Sequence, residues 1–117
     1  MTIERSMIND QLSVLRLSGE LDLSSVPDVR RAIRALIDEG TVQFAINLSN
    51  LEFIDSSGLG VLVGGLARVR EKQGEIKLIC NNRRIVRVFE MTRLTQLFDI
   101  VEDEPAALRA FTEGNDS

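Results

Sequence analysis

Any chemistry in this chain would fall to carboxylates and hydroxyls. The sequence has no histidine and a single cysteine, Cys80. Neither a Ser-His-Asp nor a Cys-His nucleophile can be assembled from it, and neither a histidine-ligated nor a thiolate metal site is available. No metal and no cofactor is expected. The suggestive residues concentrate in "LEFIDSSGLGVLVGGL", residues 51–66. An apolar run stops at Asp55, and two hydroxyls follow, Ser56 and Ser57. Four of the chain's eight glycines come next: Gly58, Gly60, Gly64 and Gly65. Each glycine inside a helix costs about 1 kcal/mol relative to alanine, so the cluster needs a reason. Three phosphate or acyl chemistries fail on particular residues. A P-loop needs lysine behind its glycines at a fixed spacing. A dinucleotide fingerprint needs a third glycine where Val63 stands. A nucleophile elbow needs G-x-S-x-G and a histidine.

What remains is a helix start. A first turn offers unpaired N–H groups and a partial positive charge, and a helix beginning near Ser57 would place that hydroxyl in an anion-friendly spot. Gly58 would let the chain turn sharply and let another molecule come close. Gly60 and Gly64 share a helix face with Ser57, Val61 and Arg68, a flat strip that could admit another protein. The plain alternative is that the serines cap the helix and the glycines only allow close packing. Ser56 fits that alternative better, whereas for Ser57 with its glycines both readings stand.

The positioning elements follow from pattern. Residues 12–17 read as a strand, and 3–8 pair with it across an Asn9-Asp10 turn. Val26, Val29, Ile33, Leu36 and Ile37 share one face of a helix. Ser25 and Asp28 resemble a capping box there, Pro27 suits the first turn, and Gly40 suits the stop. Residues 42–48 form a strand, with Ala45 small on its second face, and 51–54 lead into the turn before Asp55. A helix from 57 to 72 carries Leu59, Leu62, Leu66 and Val69 inward and ends at Gly74. A buried strand covers 76–80. Asn82 caps a helix over 83–91, packed through Ile85, Val88 and Phe89. A short strand covers 97–101, and Pro105 opens a last helix with Ala107, Leu108 and Phe111 inward. Alternating strands and helices predict an α/β fold with a mixed, mostly parallel sheet and helices mainly on one face. Residues 1–112 form one domain and 113–117 a polar tail. Expected core residues are Val14, Leu17, Ile33, Phe44, Ile46, Leu62, Leu66, Leu78 and Phe89.

Composition narrows the partners. A net charge of −4 without tyrosine or tryptophan argues against nucleic acid. No apolar run approaches the roughly 20 residues that span a bilayer. No signal peptide is visible, and one thiol suits a reducing, cytoplasmic setting.

"FIDSSGLGVL" (53–62) resembles the signature of the STAS domain in bacterial anti-sigma factor antagonists. "LSGELDLSSVPDVRRAI" (17–33) resembles the same family's strand end and first helix, and the element order agrees along nearly the whole chain. The segment 81–96 and the residues after Thr112 carry no transferable motif. The resemblance implies a binding protein, not an enzyme, and a monomer or weak dimer. Ser57 would be phosphorylated by an anti-sigma factor with serine kinase activity. The unmodified form would bind that kinase and free a sigma factor, and a protein serine phosphatase would reset the switch. Asp22 and Asp55 match the family's acids and would lie near Ser57. With Ser56, Ser57, Gly58, Gly60, Val61 and Gly64 they make up the expected contact surface. Asp55 could also merely support its turn, and Asp22 the loop before Ser24. Two other functions are in play: a soluble STAS subunit of a lipid-transport or stress-sensing assembly, and a nucleotide-binding protein or enzyme using Asp22 and Asp55.

Overall fold

The computed structural model describes residues 1–113. Strand β1 (Thr2–Ile8) and strand β2 (Leu12–Leu21) form an antiparallel hairpin. Asn9 and Asp10 both have positive φ at its tip, and the Gln11 N–H donates to the Ile8 carbonyl at 2.9 Å, the backbone that mirror-image hairpin turns require. Helix α1 (Val26–Asp38), strand β3 (Gln43–Ile54), helix α2 (Ser56–Glu71), strand β4 (Glu75–Ile79), helix α3 (Arg83–Met91), strand β5 (Ile100–Val101) and helix α4 (Glu104–Glu113) follow. The five strands stand in sequence order, and β2 to β5 run parallel. Each parallel connection crosses over through one helix. Three crossovers of the same hand in one direction place α1, α2 and α3 on the same face, where they bury Ile33, Leu62, Leu66, Phe89 and the inward side of the sheet. On the opposite face α4 brings Ala107, Leu108 and Phe111 against Val14, Ala45 and Ile79. Ala45 is small because α4 packs over it. All nine expected core residues are buried.

Several expectations need correction. Strand β3 does not break at Ser49-Asn50. It runs through, because the pairing slips twice against β2: Arg16 faces Asn47 while Ser18 faces Asn50, and Gly19 faces Leu51 while Glu20 faces Phe53. Each slip absorbs one extra residue of β3 as a bulge. The capping box does not form. Ser25 is the N-cap residue but makes no side-chain cap; its buried hydroxyl donates to the Glu20 carbonyl at 2.8 Å and accepts from the Asp22 N–H at 3.0 Å. Asp28 pairs instead with Arg31. Strand β5 has only two residues. A 3-10 turn at Leu94–Gln96 precedes it, and Phe98 turns inward to meet Phe89 edge-on, with centroids 6.1 Å apart. The expected tail begins inside α4, which includes Glu113; 114–117 lie outside the described residues.

One polar contact ties α4 to the sheet. Arg16 donates to both carboxylate oxygens of Glu104 at 2.6 and 2.7 Å, and Asn47 donates to the same group at 3.0 Å. The Arg16 guanidinium chiefly holds the Glu104 carboxyl below its ordinary value of 4.5. A carboxyl depressed by folding adds stability above its unfolded value and loses it as pH falls through the folded one. Glu104→Gln is therefore expected to cost about 1–2 kcal/mol at neutral pH. Its stability should also decline less than wild type as pH drops below the ordinary carboxylate range. Denaturant melts across pH check both effects; parallel curves would contradict the assignment.

Candidate functional site

In a parallel sheet the strand C-termini and the following helix N-termini share one edge. Here that edge holds the end of β2 and the end of β3 side by side: the Asp55 N–H donates to the Leu21 carbonyl at 3.2 Å. Asp22 and Asp55, far apart in sequence, thus leave neighbouring strands at one place. Helix α2 begins at Ser56, one residue earlier than expected. Asp55 is its N-cap, extended in backbone, and its carboxylate accepts from the Gly58 N–H at 3.0 Å. Ser56 and Ser57 are therefore the first two helical residues. Their N–H groups lack intrahelical acceptors, and Asp55 satisfies the third. Ser56 is exposed and Ser57 half-buried.

Asp22 has a local task. Its carboxylate accepts from the Ser24 hydroxyl at 2.7 Å and the Ser24 N–H at 3.0 Å, and the hydroxyl chiefly lowers its pKa below 3.8. The acid is held charged in the loop before α1. Two large apolar side chains that the sequence reading passed over stand out here: Leu23 is 75% exposed and Phe53 is 48% exposed. They sit next to Asp22 and two residues before Asp55. An exposed leucine directly behind the "SGELD" motif was the available signal.

The glycines divide in two. Gly58 is buried, and a Cβ there would sit 2.7 Å from the Leu21 carbonyl oxygen and from Leu21 Cγ. Gly65 is likewise closed, 3.0 Å from Ile33 Cδ1. Gly58 thus lets α2 lie on β2: the close approach expected there of another molecule is made by Leu21 of the chain itself. Val61 is 7% exposed and also belongs mostly to the core. Gly60 and Gly64 differ: both are exposed, and a Cβ at either would meet nothing within 4 Å. They face a cleft of about 210 Å³ between α1 and α2, lined also by Arg30, Ile33, Val61 and Arg68. Arg30 and Ile33 come from α1, which a reading along α2 alone could not supply.

No group of three or more metal-capable side chains occurs among the described residues, and no helix among them is long and apolar enough to cross a membrane. Cys80 is buried, and burial pushes its thiol up, away from nucleophilic use.

The cap makes a direct prediction. Asp55→Ala should lower stability by about 1 kcal/mol, and Asp55→Asn should retain most of it, since both oxygens can cap. Equal melts for all three chains would mean that the Gly58 bond contributes nothing.

The STAS domain family model matches residues 5–107. The Anti-sigma-B factor antagonist of Staphylococcus aureus is 32% identical over 93 residues, covering 80% of this chain and 86% of that protein. The crystal structure of an anti-sigma factor antagonist from Mycobacterium paratuberculosis superposes with a TM-score of 0.84 at 27% identity, over 93% of this chain and 92% of that one. The Bacillus cell fate determinant SpoIIAA, solved in its phosphorylated form, gives a TM-score of 0.71 at 27% identity, over 93% and 99% of the two chains.

Proposed function

Since this chain belongs to the STAS-domain family of anti-sigma factor antagonists, which act by binding and not by catalysis, we propose that it is a partner-switching regulator gated at Ser57. Unmodified, it binds an anti-sigma factor that is also a serine kinase, and the sigma factor is released. Phosphorylated at Ser57, it lets go, and a protein serine phosphatase restores it. It works in the cytoplasm as a monomer or weak dimer, with no nucleic acid, membrane or cofactor as partner.

The observation that carries this reading is the position of Ser57. It is half-buried on the second residue of α2, beside a capping carboxylate and in front of N–H groups without intrahelical acceptors. A phosphate there adds about −1.5 to −2 charges, and the helix start offsets part of this, by about 0.3–1 kcal/mol. The fold therefore survives, as the phosphorylated form of SpoIIAA illustrates for a related protein. What changes is the outer surface at this sheet edge, where Asp22 and Asp55 leave neighbouring strands and Leu23 and Phe53, close to them in sequence, are exposed. A partner that closes on that surface must desolvate whatever charge Ser57 carries.

Phosphopeptide mapping after incubation with the cognate kinase and ATP tests the assignment. The label is expected on Ser57 and absent from Ser57→Ala. A label on Ser56, or one that persists in Ser57→Ala, would overturn it.

A further inference from the structure

The cleft between α1 and α2 has two features that the fold does not use. Arg30 and Arg68 enter it from different helices, both are exposed, and neither has a carboxylate within 4 Å among the described residues. No acidic side chain lines it, although the chain as a whole carries a net charge of −4. The second feature is its openness. Gly58 and Gly65 are explained by contacts inside the chain, but at Gly60 and Gly64 a methyl group would touch nothing, and alanine would favour the helix. The cleft is thus a locally positive site with an apolar floor of Ile33 and Val61. It is continuous with the switch, because Ser57, Gly60, Val61, Gly64 and Arg68 follow one another at helical spacing on one side of α2.

We propose that this cleft docks an acidic segment of the anti-sigma factor partner. A carboxylate of that segment sits between Arg30 and Arg68, and its backbone lies close against Gly60 and Gly64. The inference rests on the switch reading and adds a second contact to it. Ser57 decides whether the partner binds, and the cleft decides which partner binds, since complementary charge sets specificity and encounter rate. Arg30 supplies what α2 alone lacks, a cation on the far wall.

The test is titration of the purified anti-sigma factor kinase with the full unphosphorylated chain, at low and high salt. Arg30→Glu with Arg68→Glu is expected to lower affinity about 10-fold or more and to flatten the salt dependence. Arg109→Glu, on α4 across the sheet, is expected to bind as wild type. Gly60→Ala with Gly64→Ala is expected to raise the melting midpoint and yet weaken binding, a split that a purely structural role would not produce. If Ser57→Asp releases the kinase while both cleft variants bind as wild type, the docking site is overturned and the switch stands. Equal losses from Arg109→Glu and the cleft arginines would also overturn it, because the effect would then be general charge. A lower melting midpoint in the glycine variant would return Gly60 and Gly64 to the fold. If the unmodified chain does not bind the kinase at all, the switch reading and the docking site fail together.

Discussion

Ser57→Asp is expected to weaken binding to the anti-sigma factor kinase by roughly 30- to 150-fold while leaving the fold intact. Two effects of opposite sign meet at one position. Within the chain, the new carboxylate lies on the second residue of α2, where first-turn N–H groups and the helix dipole make it neutral or slightly stabilising, by up to about 1 kcal/mol. At the contact, the same charge must be desolvated without a partner. A net penalty of about 2–3 kcal/mol is modest for a buried unpaired charge and corresponds to the stated loss of affinity. Ser57→Ala adds no charge and little volume, so it should bind as wild type. Calorimetric titration of both variants, with thermal melts as control, separates the effects. Unchanged affinity for Ser57→Asp would remove Ser57 from the contact, and an unfolded variant would make the serine structural.

Leu62→Ala is expected to cost on the order of 2–5 kcal/mol. Leu62 is fully buried on the inner face of α2, in the cluster formed with Ile33, Phe44, Leu66 and Ile76. Deleting its side chain removes transfer energy and leaves a cavity that packed neighbours cannot fill. The loss should appear as a lower denaturant midpoint with an unchanged slope. A loss below about 1 kcal/mol would mean that α2 relaxes into the space. The two substitutions test independent faces of one helix. Ser57→Asp should change binding and spare stability, and Leu62→Ala should do the reverse.

Much of this was legible from local pattern. Period-3.6 stripes located α1 and α2, and Asn82 caps α3 as its type predicts, accepting from the Arg84 N–H at 3.1 Å. The Asn9-Asp10 turn joins the hairpin. What stayed hidden was decided by contacts distant in sequence. Strand β3 looks interrupted at Ser49-Asn50, but bulges against β2 carry it through. Ser25 and Asp28 have cap-like spacing, but the Glu20 carbonyl claims the hydroxyl. Phe98 looks like a strand residue, but Phe89 draws it inward. At the proposed site, the motif pointed to Asp22, Asp55 and Ser57. It could not separate glycines that face Leu21 and Ile33 from those that face open space, since that division depends on how α2 lies on the sheet and on α1. Arg30 was unreadable for the same reason. In sequence it belongs to the polar stripe of α1, and only the packing of α1 on α2 turns it into the wall of a cleft.

The central claim is that one phosphate on Ser57 controls partner binding without unfolding the chain. Its most direct measurement is calorimetric titration of the anti-sigma factor kinase with the same preparation before and after full phosphorylation, alongside melts of both forms. The account predicts measurable binding by the unmodified chain, weaker binding by the phosphorylated chain than by Ser57→Asp because its charge is larger, and melting midpoints that stay close together. Equal affinities for the two forms, or a phosphorylated chain that no longer folds, would contradict it.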